Sequence, residues 1–208
     1  FLEHTLRACP VKIAIRHKDH TVTYHELDCI SAQVASSLKA KNFPNTRIGV
    51  LTHNSIPQCE VILAAMRANY PCCCLNWRLT AQDIVLRLQQ AKINYLIFDD
   101  HTAVLVQDIQ KLFPQILCEH IGLLIKSGQP TSEFPVVSAF SQDVVLLYFT
   151  SGTTGIPKGV MLTHGGLTAY ILSYTYASGW GPNTVYQTAA PMFHISGFSS
   201  LICLLTGR

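Results

Sequence analysis

Tyr148-Phe149-Thr150-Ser151-Gly152-Thr153-Thr154-Gly155-Ile156-Pro157-Lys158-Gly159-Val160 is the stretch on which the reading of the fold turns. It leaves an apolar run, Val144 to Phe149, and enters a second at Val160 to Thr163, so it reads as a glycine-rich loop between two strands. Gly152 and Gly155 let the backbone approach a bulky anion, the hydroxyls of Thr150, Ser151, Thr153 and Thr154 offer O–H donors, and Lys158 adds a compact positive charge. A polyphosphate needs all three at once. Taken alone, a Ser/Thr/Gly-rich run is also what an ordinary turn requires.

The segment is not a Walker A loop, because that pattern ends in G-K-[ST], whereas here Pro157 precedes Lys158 and Gly159 follows it. The G-x-G-x-x-G dinucleotide fingerprint and the G-x-S-x-G nucleophile elbow are absent as well, which removes the main support for hydride transfer and serine hydrolysis.

Upstream of the loop, short β-rich runs alternate with helical stretches, the pattern of an α/β fold: stacked, largely parallel sheets flanked by helices. Lys12 to Arg16 and Thr21 to Thr23 read as strands around a polar turn. Thr23 and Glu26 form a capping box for a helix with Leu27, Ile30, Val34 and Leu38 on one face, ending at Asn42 to Asn45. Strands are expected at Arg47 to Thr52, Pro71 to Leu75, Tyr95 to Phe98, Ile121 to Ile125 and Val185 to Ala189. Asn54 or Ser55 with Pro57 opens a helix that is apolar all round from Val61 to Met66, Thr80 with Asp83 caps another, and further helices are expected over Ala103 to Phe113 and Leu167 to Tyr176. Ser127 to Pro135 is the most linker-like run and the expected subdomain boundary.

Composition agrees with a folded chain. Of 208 residues, 49% are hydrophobic and 13% charged, which is too apolar for disorder. The net charge of +3 comes with no block of Lys or Arg, so no nucleic-acid stripe is expected, and no apolar run approaches the ~20 residues that span a bilayer. Eight cysteines at irregular spacing, three of them consecutive at Cys72 to Cys74, read as small buried hydrophobes in a reducing cytoplasm rather than as a disulfide framework or metal site. No metal-ligating residue is assigned. Phe1 in place of Met leaves the true N-terminus open.

The thirteen-residue string resembles, almost letter for letter, the phosphate-binding signature of the adenylate-forming superfamily, which includes acyl-CoA and aryl-CoA synthetases, luciferases and peptide-synthetase adenylation domains. Thr23-Tyr24-His25-Glu26-Leu27 is similar to its T-Y-x-E-L element, Leu75-Asn76-Trp77-Arg78-Leu79-Thr80 to the L-N-x-R-L-T of its CoA ligases, and Pro191-Met192-Phe193-His194-Ile195-Ser196-Gly197 to their P-x-F-H-x-x-G. The four motifs occur in family order. The resemblance implies a small-molecule carboxylic acid of fatty, aryl or o-succinylbenzoate type as substrate, ATP with Mg2+ as activator and coenzyme A as acceptor. A carrier-protein thiol is the alternative acceptor. Self-association into a homo-oligomer is left open.

By that resemblance, Thr150, Ser151, Gly152, Thr153, Thr154 and Gly155 wrap the β- and γ-phosphates, and Lys158 offsets charge on departing pyrophosphate. His194, by default a half-buried polar group, would line the acid pocket, with Ser196 and Gly197 in its wall, while Arg78 would be structural. The family completes its site with a Y-G-x-T-E segment, a ribose-binding aspartate and a lysine on a small mobile C-terminal domain, none of which occurs in this sequence. Residues 1–208 thus read as part of the large N-terminal adenylation domain, catalytically silent in isolation, with exposed apolar surface expected around Leu201 to Leu205.

Overall fold

The structure, a computed structural model, describes residues 5, 8–43, 46–128, 139–150 and 157–207. Strands β1 (Ile13–His17) and β2 (His20–Thr23) form an antiparallel hairpin whose turn holds Lys18 in the left-handed region at φ 55°. Thr23 ends β2 and caps α1 (Tyr24–Ala40): its hydroxyl accepts from Glu26 N at 3.2 Å, and the Glu26 carboxylate accepts from Thr23 N at 2.8 Å. The capping box read from the sequence is present.

A six-stranded sheet follows, built from β3 (Ile48–Leu51), β4 (Cys72–Cys74), β5 (Tyr95–Phe98), β6 (Leu117–His120), β7 (Val144–Thr150) and β8 (Lys158–Thr163). Its order is β6-β5-β3-β4-β7-β8, parallel from β6 to β7, with β8 antiparallel at the edge. Strands taken in sequence step to one side of β3 and then to the other. The loops that follow β3, β4, β5 and β7 therefore open on one carboxyl edge, where open α/β sheets bind ligands.

The two-residue period of the strands sorts their side chains into two cores. Ile48, Val50, Cys72, Cys74, Tyr95 and Ile97 pack on one face against α1, α2 (Ile56–Arg67), α5 (Ile121–Ser127) and α7 (Phe198–Thr206). Leu51, Cys73, Leu96 and Leu147 pack on the other against α3 (Ala81–Gln90) and α4 (Ala103–Leu112). Five consecutive α2 residues, Val61 to Ala65, are fully buried, and burial of each larger aliphatic side chain stabilises by about 1.5–3 kcal/mol. The helix that is apolar all round is the central one. All eight cysteines are free; a hydrogen bond with Cys74 together with burial raises the Cys72 thiol well above its ordinary value, and burial does the same for Cys73.

Three expectations are corrected. Ile121 to Ile125 is helix, not strand: His120 Nδ1 accepts from Gly122 N at 3.2 Å as an N-cap, and Ile121 and Leu124 face the core at helical spacing while Leu123 is exposed. The strand lies just before it, at Leu117–His120, paired with β5. Val185 to Ala189 forms no strand; among the described residues it has no ladder partner, and Val185 lies open on a groove of about 820 Å³ that also meets Ile15, Ile56 and Leu201. A strand exists only through its ladder.

Leu201 to Leu205 is buried, with Tyr24 Oη donating to Leu204 O at 3.0 Å. Exposed apolar side chains lie elsewhere, among them Val160 and Met161 on β8, Leu172 and Tyr176 on α6 (His164–Ser178), and Val104, Phe140 and Val185. Within the linker-like run, residues 129–135 lie outside the described set. Among the described residues no helix is long and apolar enough to cross a membrane.

Candidate functional site

The loop that carries the phosphate-binding pattern is anchored at both ends by the β7–β8 ladder. Thr150 closes β7, Lys158 opens β8, and the two are register partners, with Thr150 Oγ1 donating to Lys158 O at 3.4 Å. Residues Val145 to Tyr148 are buried on the strand just inside the β8 edge, so the start of the loop is fixed by core packing. Ser151, Gly152, Thr153, Thr154 and Gly155 lie outside the described residues. Pro157 is buried just before β8, whereas Thr150 and Lys158 are exposed. The lysine head is thus free to meet an anion arriving at the carboxyl edge.

A second group of residues the sequence singled out sits on one turn. His194 caps a 3-10 turn, Ile195–Gly197, through its Nδ1, which accepts from Ser196 N at 3.2 Å and lies 2.7 Å from Ser196 Oγ. An imidazole accepting at Nδ1 carries its proton on Nε2, so neutral His194 presents an N–H donor outward. The ring is exposed, not half-buried. Ser196 is exposed beside it, and its hydroxyl is committed to His194. Gly197 is buried under Pro191, where a Cβ would lie 2.4 Å from Pro191 O and 2.8 Å from Met192 Cα. Here glycine is required by close approach rather than by a positive φ.

The structure therefore brings Thr150 and Lys158 together, and His194, Ser196 and Gly197 together. Among the described residues no hydrogen bond joins the two groups.

Sequence reading gave no site role to Asn54, His53 or Asp99, and did not foresee the contacts that Trp77 and Arg78 make around the His194 turn. After β3, Asn54 Nδ2 donates to Ala190 O at 2.9 Å and its Oδ1 accepts from Met192 N at 3.0 Å. After β4, the Trp77 ring meets Phe193 edge-on at 6.4 Å and stacks on His53 at 4.0 Å, with the Arg78 guanidinium over Trp77 at 4.9 Å and over Phe193 at 6.0 Å. Arg78 acts here through its flat face, consistent with the structural role expected of it. After β5, Asp99 accepts from His53 N at 2.8 Å. For His53, Asn54 and Asp99, only their position just after strands could have marked them.

The family described as AMP-binding enzyme matches residues 2–208. Over 202 residues the chain is 31% identical to a feruloyl-CoA synthase of Amycolatopsis sp, covering 96% of this chain and 40% of that protein. It is 28% identical to the fatty acid–[acyl-carrier-protein] ligase ScoC of Streptomyces coeruleorubidus, covering 90% of this chain and 38% of that one. The o-succinylbenzoate coenzyme A synthetase MenE of Bacillus subtilis, solved in complex with ATP and magnesium ion, superposes with a TM-score of 0.86 at 23% identity, over 100% of this chain and 55% of its own. The chain thus spans about 40% of the length of these two curated relatives.

Proposed function

Because this chain belongs to the family of AMP-binding enzymes, we propose that the intact protein uses ATP with Mg2+ to activate a carboxylic acid as its acyl-adenylate and then passes the acyl group to coenzyme A. A carboxylate oxygen attacks the α-phosphorus of ATP as the bond to the pyrophosphate oxygen breaks. The thiol sulfur, giving up its proton, then attacks the acyl carbon and AMP departs.

The observation that carries this reading is the Thr150–Lys158 hairpin end, which holds an exposed lysine beside a hydroxyl-rich loop at the carboxyl edge of a parallel sheet. Attack of one anion on another requires neutralised phosphate charge and fixed alignment. Lys158 supplies the charge, and the ladder beneath it supplies the alignment. His194 supplies an Nε2–H donor suited to a carboxylate oxygen. No described residue is assigned to Mg2+, which would arrive with the triphosphate.

Transfer to a carrier-protein thiol is the second reading, favoured by the likeness to the acyl-carrier-protein ligase. Similarity to the feruloyl-CoA synthase favours free coenzyme A. The deciding experiment is acid-dependent exchange of labelled pyrophosphate into ATP by the intact protein, over fatty, aryl and succinylbenzoate-type acids, followed by thiol transfer with each acceptor. Absence of exchange with every acid would overturn the activation reading.

A further inference from the structure

The side chain of Asn54 makes contacts that neither the phosphate loop nor the acid-facing histidine explains. Its carboxamide accepts from Met192 N at 3.0 Å and donates to Ala190 O at 2.9 Å, so one side chain satisfies the donor of one residue and the acceptor of the residue two before it. A neighbouring strand would offer the same complement. Asn54 itself has little freedom. On one side His53 N is tied to Asp99, and on the other Ser55 caps α2 by accepting from Gln58 N at 3.2 Å.

The grip then passes to His194. Phe193 is held by Trp77 and Arg78, His194 N donates to Pro191 O at 3.0 Å, and Gly197 N donates to His194 O at 2.8 Å. Ala190 to Gly197 is thereby fixed at successive points, with Asn54 as its first anchor and His194 as its exposed outcome.

We propose that Asn54 is a positioning residue: by holding residues 190 and 192 it sets where the His194 imidazole stands, and through it how the carboxylic acid is bound. This rests on the acid-activating function proposed above. The group must be a carboxamide. Aspartate would set a carboxylate against the Ala190 carbonyl, and leucine, of similar volume, would leave both backbone groups unpaired.

The test uses the full-length protein and the best acid from the exchange panel. In Asn54→Leu the KM for the acid should rise by roughly tenfold or more while the KM for ATP stays within about twofold. In a His194→Ala background the same change should have little further effect, because the two residues act as one unit. Multiplicative losses in the double variant, or equal losses toward ATP and acid, overturn the proposal. If Asn54→Leu does not fold, Asn54→Asp, which keeps the acceptor for Met192 N, is put through the same cycle.

Amide hydrogen exchange of the peptide over 190–197 gives a readout independent of turnover. Faster exchange there in the variant, with the α2 peptide unchanged, supports the anchor, and unchanged exchange overturns it. Should wild-type protein catalyse no acid-dependent exchange at all, the function reading fails on that arm, and the amide measurement alone decides whether Asn54 positions the His194 turn.

Discussion

Thr150 and Lys158 stand opposite each other on the last rung of the β7–β8 ladder, so the residue entering the phosphate loop and the lysine leaving it share one register pair. Their backbones are fixed by the sheet, while the Lys158 side chain is exposed. Replacing that lysine should cost chemistry and spare the fold. In the intact enzyme Lys158→Ala is expected to slow adenylation by roughly ten- to a thousandfold, with a thermal midpoint near that of wild type. Wild-type rates of pyrophosphate exchange would remove Lys158 from the mechanism.

His194 offers its Nε2–H outward because Ser196 occupies Nδ1. On the proposed acid-side role, such a donor would discriminate among acids rather than grip ATP. His194→Ala should therefore raise the KM for the acid or change acid preference, leaving the apparent ATP affinity nearly untouched. Steady-state kinetics with both substrates varied checks this, and a change confined to ATP would place His194 in the other subsite.

Much of this architecture was legible because its signals are local. The Thr23–Glu26 box, the Ser55 cap before Pro57 and the Thr80 cap with Asp83 each lie within four residues of chain, and all three form. Strand β6 was missed because it lies at the sheet edge and reads Leu-Cys-Glu-His, half polar, whereas the apolar run after it belongs to a buried helix face. Short apolar runs do not distinguish the two. Val185 to Ala189 carries the β-favouring Val185, Tyr186 and Thr188, yet pairing depends on what lies alongside it. The Asn54 anchor joins positions more than a hundred residues apart, and no local pattern reports such a contact.

Gly197 provides a test of the packing under the histidine. A methyl group there would collide with backbone at Pro191 and Met192, atoms that cannot rotate away. Gly197→Ala should destabilise by about 1–3 kcal/mol, as overpacking does, and should also disturb acid binding because the His194 turn must shift. Denaturation midpoints and acid KM measured on the same variant check both. An unchanged midpoint would show that the turn yields at no cost.

Residues 1–208 expressed alone are expected to fold at least in part, bind ATP weakly and make no acyl-adenylate. On the proposed function the loop would hold phosphates, but the adenine, ribose and mobile-lysine elements of the family do not occur in this sequence, so water would screen Lys158. Incubation with ATP, magnesium and candidate acids, read by mass spectrometry for acyl-AMP above a no-protein control, checks this. Clear turnover would overturn it.

Glu60 sets a pH dependence that is separate from the chemistry. It lies on α2 at 4% exposure, and burial pushes its carboxyl from an ordinary 4.5 up to about 7. A raised carboxyl pKa means that the folded state keeps a proton the unfolded state has already released. Between about pH 4.5 and 7 the unfolded chain thus binds fewer protons, and stability falls as pH rises through that window, then levels off. Each pKa unit is worth about 1.4 kcal/mol, so ionising Glu60 in place costs on the order of 3 kcal/mol. Glutamine has nearly the same shape and no charge to desolvate. Glu60→Gln should accordingly stabilise the protein most above about pH 7 and lose that advantage toward about pH 4.5. Urea denaturation of both proteins across this range measures the difference directly, and a gap that stays constant with pH would show that Glu60 does not titrate there.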